Sequence, residues 1–313
     1  MQVHYNIDLL PEFTNAVITI GTFDGVHCGH QKIIDALLDE TSLVGGESVI
    51  VTFDPHPRKV VDPASSLQLI NTLEEKISLL ERRGVAHLVV VPFDEEFALL
   101  SAEAYIKDFL VRYFKPHTII IGYDHHFGKE RKGNFLLLQE QQELWGYRLV
   151  EIPKHLLDEV SVSSTKIRTA LLHGDVATAN KLLGTPFSFR GVVVQGDQIG
   201  RTIGFPTANL VYENDDKIHL GEGVYAVYVL VGGEKKKAML SIGTRPTLND
   251  VVERVEVNIF DFEGNLYGAH LVVLVEAFIR GQEKYDSLEA LRQQIQKDKE
   301  ATIKMLTLSS GSS

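Results

Sequence analysis

Gly21-Thr22-Phe23-Asp24-Gly25-Val26-His27-Cys28-Gly29-His30 is the stretch around which the first half of the chain can be read. The apolar, β-branched run Val17, Ile18, Thr19, Ile20 leads into it, and Ile33, Ile34, Leu37 and Leu38 follow at helical spacing. That order predicts a strand, a glycine-rich turn and a helix. Gly21 and Gly25 permit a tight turn and a close ligand approach. His27 and His30 fall at the expected helix start, three residues apart on one face. A helix start offers unpaired N–H groups and the positive end of the dipole, which suits phosphate. Imidazoles placed there can donate hydrogen bonds to phosphate oxygens as charge develops. On spacing alone, two surface histidines that merely cap a helix explain the pattern equally well.

Composition narrows the classes. A chain of 313 residues suits about two domains. Its 44% apolar content is enough for a core in each half. The net charge of −11 argues against nucleic acid, whose binding requires lysine and arginine to neutralise phosphates. No apolar run reaches the roughly 18 residues of a membrane span. Met1-Gln2-Val3-His4-Tyr5-Asn6 has neither the basic nor the apolar part of a signal peptide. Cys28 is the single cysteine, so no internal disulfide forms and a cytoplasmic location is expected. It reads as a small filler within the opening motif, since no base partner for a nucleophilic cysteine is suggested nearby.

From 17 to 183 strand and helix patterns alternate. Strands are expected over 49–53, 87–91, 118–121 and 147–152, and helices over 72–82, 102–114 and 135–145. Thr72 and Glu75 stand at capping-box spacing. Continuously apolar strands separated by helices indicate a parallel sheet covered on both faces, with ligands at its carboxyl edge. Chemistry-bearing residues do follow the strands. Phe53-Asp54-Pro55-His56-Pro57-Arg58 comes after the second, where His56 and Arg58 either face the cleft or simply form a proline turn. Gly122-Tyr123-Asp124-His125-His126-Phe127-Gly128 comes after the strand over 118–121, followed by Lys129, Arg131 and Lys132, basic residues able to grip phosphates. Adjacent His125 and His126 diverge and no further ligand follows at zinc spacing, so zinc is not expected. Val162-Ser163-Ser164-Thr165-Lys166-Ile167-Arg168 opens another helix. Its hydroxyls either cap that helix or, with Lys166 or Arg168, form a second phosphate-gripping helix start.

After Leu183-Gly184-Thr185-Pro186 the texture changes, which places a domain boundary near 184. Short strands are expected over 190–194, 223–231, 236–242, 255–262 and 270–278, with Gly232-Gly233 as a hairpin turn. Little helix intervenes, so an antiparallel barrel is expected. A closing helix over 287–306 follows, with Leu288, Leu291, Ile295 and Ile303 as its inner face. Gly200-Arg201-Thr202-Ile203-Gly204-Phe205-Pro206-Thr207-Ala208-Asn209 is a flexible glycine-rich loop and a rigid proline turn that present a hydroxyl and an amide. It lacks the ending of a Walker A loop. Strand alternation sets Glu256 and Asn258 opposite Val255, Val257 and Ile259, a pattern that by itself describes a solvated barrel face.

These motifs together resemble bacterial bifunctional riboflavin kinase/FAD synthetases. His27-Cys28-Gly29-His30 is similar to the HxGH motif of nucleotidyltransferases, and 163–168 to their S-S-T-x-I-R signature, with Lys166 where arginine is frequent. Phe-Asp-Pro-His-Pro and Gly-x-Asp-x-x-Phe-Gly fit the same module. Gly-Phe-Pro-Thr-Ala-Asn at 204–209 matches the riboflavin kinase signature, and 243–247 and 265–268 also fit. The resemblance implies a Rossmann-like nucleotidyltransferase domain over 1–184 and a six-stranded riboflavin kinase-like barrel over 185–313. It implies phosphorylation of riboflavin to FMN by ATP in the barrel, then adenylylation of FMN to FAD with release of pyrophosphate. It further implies Glu256 as the kinase base and Thr207 and Asn209 as holders of Mg²⁺, with Gly200, Arg201, Gly204, Pro206 and Arg280 around nucleotide or flavin. In the first domain it implies His27, His30 and Arg168 as catalytic groups. Gly21, Phe23, Asp24, Gly29, His56, Asp124, Ser163, Ser164 and Thr165 would bind substrate. The expected partners are riboflavin, FMN, FAD and ATP/ADP, without nucleic acid or membrane, and the default state is a monomer.

The chemistry of the two implied reactions differs accordingly. A neutral alcohol attacking a γ-phosphate needs its proton accepted, so a carboxylate is required. The FMN phosphate is already anionic, so the second reaction needs only positioning and charge neutralisation. Three alternatives stand beside this reading: a single retained activity, a flavin-binding or flavin-sensing protein without catalysis, and an adenylyltransferase for another substrate such as phosphopantetheine. The kinase motifs in the barrel argue against the last.

Overall fold

The computed structural model describes residues 1–154, 162–196, 200, 204–246 and 251–309. The chain divides into two compact units, Met1–Ser164 and Thr165–Ser313. In the first, six strands form one sheet: Gln2–His4 (β1), Val17–Ile20 (β2), Ser48–Asp54 (β3), His87–Pro92 (β4), Thr118–Gly122 (β5) and Arg148–Ile152 (β6). Their order is β1-β4-β3-β2-β5-β6, and every pairing is parallel. Successive residues of β2 enter opposite cores. Ile18 and Ile20 join Val51, Val91 and Phe109, whereas Val17 joins Ile34, Leu37 and Leu88. Both faces are therefore covered, and each fully buried aliphatic side chain contributes about 1.5–3 kcal/mol. β3 and β4 lie on one side of β2, and β5 and β6 on the other. The order of connection reverses there, which opens a crevice beyond the carboxyl end of β2. The 21–30 stretch begins at that point.

Thr72 caps helix Leu73–Arg82 and closes the expected capping box with Glu75. β1 has no counterpart among the expected strands, because three residues carry no periodic signal. The helix expected over 102–114 is present, but its middle, Tyr105–Val111, is π-helical between α-helical Ala102–Ala104 and Arg112–Phe114. The wider turn gathers Tyr105, Ile106, Phe109 and Leu110 into the core.

In the second unit, helices Ser164–Leu172 and Val176–Leu183 precede a closed antiparallel barrel. Its strands are Phe187–Val194 (β7), Ala208–Tyr212 (β8), Gly223–Val231 (β9), Glu234–Pro246 (β10), Val251–Ile259 (β11) and His270–Arg280 (β12), in the order β10-β11-β8-β7-β12-β9. Asn180 fastens the second helix to the barrel. Its amide donates to the Val275 carbonyl at 2.8 Å, and its Oδ1 accepts the Phe187 N–H at 2.8 Å. Helix Leu288–Ser309 packs over β9, β10 and β12.

Two expectations are corrected here. The strand expected to reach 262 ends at Ile259, because Asp261 takes a left-handed φ of 52° and opens a turn. The final helix exposes Leu288 (63%) and Ile303 (39%). Ile295 packs on the core as expected and Leu291 is half-buried, and the same face continues through Asp298, which pairs with Arg280 from β12, Thr302 and Leu306.

Candidate active sites

His27 is the N-cap of helix Cys28–Val44, and its Nδ1 accepts the His30 N–H at 3.2 Å. A nitrogen that accepts carries no proton, so neutral His27 holds its hydrogen on Nε2. The two imidazoles stack with centroids 3.6 Å apart and planes 11° from parallel. Phe23 backs His30 at 5.1 Å. A Cβ on Gly29 would come within 3.3 Å of the His27 ring, so any side chain there would press on it. Burial lowers the His27 pKa to about 4. Burial, then the neighbouring His27 and Lys76, push that of His30 well below its ordinary value. Both rings are thus uncharged at neutral pH, and the buried Nδ1 of His30 has no hydrogen-bond partner among the described residues.

The loop that carries them is stitched to its surroundings. Asp24 is buried, and its Oδ1 accepts the N–H groups of Ile70 at 2.9 Å and Asn71 at 3.2 Å. Ser164 Oγ, at the end of this unit, donates to the Asp24 carbonyl at 2.9 Å. Thr52, in β3, donates to the Thr22 carbonyl at 3.2 Å and accepts from the buried Lys76 ammonium at 3.2 Å. Sequence reasoning missed Thr52 and Lys76. Lys76 was legible in one respect: it interrupts the stripe Leu73, Ile77, Leu80 at i, i+3, i+4, i+7 spacing, where an apolar residue is the rule.

The other expected residues of this half are more dispersed in role. His56 caps the short helix Pro57–Val61, its Nδ1 accepting the Arg58 N–H at 3.1 Å. Asp124 is exposed. Lys132, from the basic run, pairs with Glu130 at 2.8 Å. Ser163 is half-buried just before the helix, and Thr165 and Arg168 follow Ser164 within it.

In the barrel, Asn209 of β8 lies directly opposite Glu256 of β11, and Ser241 of β10 lies opposite Glu256 on its other side. Directly opposed residues share a face, so an amide and a carboxylate are brought side by side. Val255, Val257 and Ile259 are buried and Glu256 half-buried, as strand alternation predicts, but Asn258, expected on the face of Glu256, is buried as well. Arg254 approaches Glu256 at 3.8 Å. The Phe205 N–H donates to the Gly200 carbonyl at 2.8 Å. Gly204 takes a left-handed φ of 84°. A Cβ on Gly200 would fall 3.2 Å from Thr207 Oγ1, and one on Gly196 would collide with the Asn209 amide at 2.1 Å. Asn258 donates to the Pro206 carbonyl at 2.6 Å. Beside this turn opens a cavity of about 540 Å³ lined by Gly204, Phe205, Pro206, Phe260, Glu263 and Lys299, among others. Arg201 lies outside the described residues. Arg280 is engaged by Asp298, its Nη2 donating at 2.7 Å and its Nε at 3.0 Å.

Residues 10–166 match the family model described as FAD synthetase, and residues 183–306 match that described as riboflavin kinase. The chain belongs to the bifunctional riboflavin kinase/FMN adenylyltransferase family. Members from Bacillus subtilis (strain 168) and Escherichia coli (strain K12) are 38% and 37% identical to it, each over 94% of this chain and 93% of the relative. A solved structure from Streptococcus pneumoniae, described as a macrolide-efflux protein, superposes with a TM-score of 0.86 at 32% identity and covers 96% of this chain and 97% of that one. Among the described residues, no helix is long and apolar enough to cross a membrane. The adenylyltransferase match contains the histidine pair, and the kinase match contains Asn209 and Glu256.

Proposed function

We propose that the barrel phosphorylates riboflavin to FMN and that the parallel-sheet unit then adenylylates FMN to FAD, each with ATP. The observation that carries this reading is that each family match encloses one constellation, in the same chain order as in the relatives. Glu256 takes the proton of the riboflavin 5′-hydroxyl as that oxygen attacks the γ-phosphate. Thr207 and Asn209 offer a hydroxyl and an amide oxygen, hard donors of the kind Mg²⁺ prefers, and glycines stand where side chains would crowd them. A magnesium ion held there would neutralise charge on the ATP phosphates. The neighbouring cavity is large enough for a nucleotide.

In the first unit the FMN phosphate needs no base. His27 and His30, as uncharged N–H donors at a helix start, hold the α-phosphate and favour the charge that develops on it. Ser164 supplies a further donor for the triphosphate. Asp24 and Gly29 act by shaping the loop. The net charge of −11 supports small phosphorylated ligands over nucleic acid. With one cysteine, the reading includes a reducing, cytoplasmic compartment.

The test is to incubate the full chain with riboflavin, ATP and Mg²⁺ and to separate the flavins over time. FMN followed by FAD is the expected result. FMN alone would leave only the kinase, and unchanged riboflavin would reject catalysis of this sequence.

A further inference from the structure

Lys76 is the least expected side chain beneath the histidine pair. It lies in helix Leu73–Arg82 and is only 7% exposed. An ammonium has three donors. Among the described residues, Thr52 Oγ1 is the acceptor that the structure gives it. Thr52 in turn holds the Thr22 carbonyl, so the lysine reaches the opening loop through one hydroxyl. Burial pulls its pKa below the ordinary lysine value, while the carboxylates of Asp24, in that loop, and Asp54, at the end of β3, favour its charged form. His30 lies within electrostatic reach and presents a buried, unpartnered Nδ1.

Stability alone gives no reason for an ammonium here. An apolar side chain of similar length would fill the space without the cost of taking a charge out of water. A cation fixed in a low-dielectric pocket behind a phosphate site, by contrast, acts strongly on charge developing in front of it. We propose that Lys76 is a positioning residue of FMN adenylylation: its buried ammonium holds the phosphate-facing loop through Thr52 and Asp24 and sets a fixed positive charge behind His30. This rests on the assignment of His27 and His30 to the α-phosphate.

The groups that face His30 fix the sign of the effect. His27 faces it from its own helix start and Lys76 from helix Leu73–Arg82, while Asp24 and Asp54 face Lys76. Removing the lysine charge removes a repulsion that keeps His30 unprotonated. The acid limb of the adenylylation rate therefore moves to higher pH.

The test uses the full chain with Lys76→Met, Thr52→Val and His30→Ala. FAD formation from FMN and ATP is followed across the acid and neutral range, and Trp145 fluorescence reports whether the first unit is folded. K76M is expected to lower kcat by roughly 10²-fold and to raise the acid limb by about one pH unit. T52V keeps the cation, so it should lower kcat while leaving the limb in place. A K76M protein with unaltered kcat, or with a lowered kcat and an unmoved acid limb, overturns the proposal. Should K76M not fold, T52V decides, and an unchanged kcat there also overturns it. If H30A still makes FAD, the histidine assignment itself fails. An inactive H30A beside a normal K76M rejects Lys76 alone.

Discussion

His27 does two jobs with two different nitrogens, and substitutions can separate them. Nδ1 caps the helix, which leaves Nε2–H for a ligand. Asparagine is among the best N-caps. His27→Asn should therefore keep the melting temperature of the first unit and still cut FAD synthesis about 10²- to 10³-fold, the usual cost of one transition-state donor. His27→Ala should lose the activity and in addition about 1 kcal/mol of stability. Equal FAD synthesis by H27N and the parent would show that the imidazole serves only as a cap. In the barrel, Glu256→Gln keeps the shape and removes the base. Riboflavin phosphorylation should fall about 10²- to 10⁴-fold while supplied FMN is still converted to FAD, and chromatography of both reactions checks the split. At this scale the sequence was informative about which residues carry chemistry and less so about how. Asp24 belongs to a recognisable motif, but its carboxylate receives backbone N–H groups from Ile70 and Asn71, 46 and 47 residues away. Contacts at that separation leave no local pattern.

Elements were legible where their signals are local. The capping box of Thr72 and Glu75 and the helix Phe135–Trp145 follow from residues within a few positions of one another. The three-residue β1 and the π-helical turn at Tyr105–Val111 did not, because one is too short for a period and the other departs from it. The closing helix shows the same limit. Of its expected inner face Leu288 and Ile303 are exposed while Ile295 packs on the core, and a buried Asp298 paired with Arg280 extends that face. Asp298 is 3% exposed and accepts from Arg280 and from Gln294 at 2.8 Å. Asp298→Leu leaves a partly buried guanidinium without its partner and should cost about 3 kcal/mol. The urea midpoint for loss of riboflavin phosphorylation measures this. Adding Arg280→Met should restore most of that stability, since a matched apolar pair avoids the desolvation cost. If the double variant regains the midpoint but not the turnover, Arg280 also serves the flavin or nucleotide. If D298L leaves the midpoint where it was, the ion pair does not hold the helix.

At the scale of the molecule, the two units should respond differently to acid, and the chain carries its own reporter. Its single tryptophan, Trp145, lies in the first unit, donating from Nε1 to Gln141 at 2.9 Å. In that unit His27 and His125 are each held at a pKa of about 4, in both cases chiefly by burial. In the unfolded chain a histidine titrates near 6.5. Between those values the unfolded state binds protons that the folded state refuses, so stability is full above pH 6.5 and falls as the pH drops toward 4. Each histidine removes about 1.4 kcal/mol per pH unit, or about 3 kcal/mol over the window. His4 and His30 are lowered as well and act with the same sign. The urea midpoint read by Trp145 fluorescence should therefore decline steadily below pH 6.5. His125 can be removed without touching the histidine pair, since its ring lies 5.8 Å from that of Phe127 on the loop after β5. His125→Leu should reduce the slope of stability against pH by about 1.4 kcal/mol per unit, which is the loss of one linked proton. A slope identical to that of the parent would mean that His125 titrates alike in both states, and that burial of the loop after β5 does not contribute to the acid sensitivity of this unit.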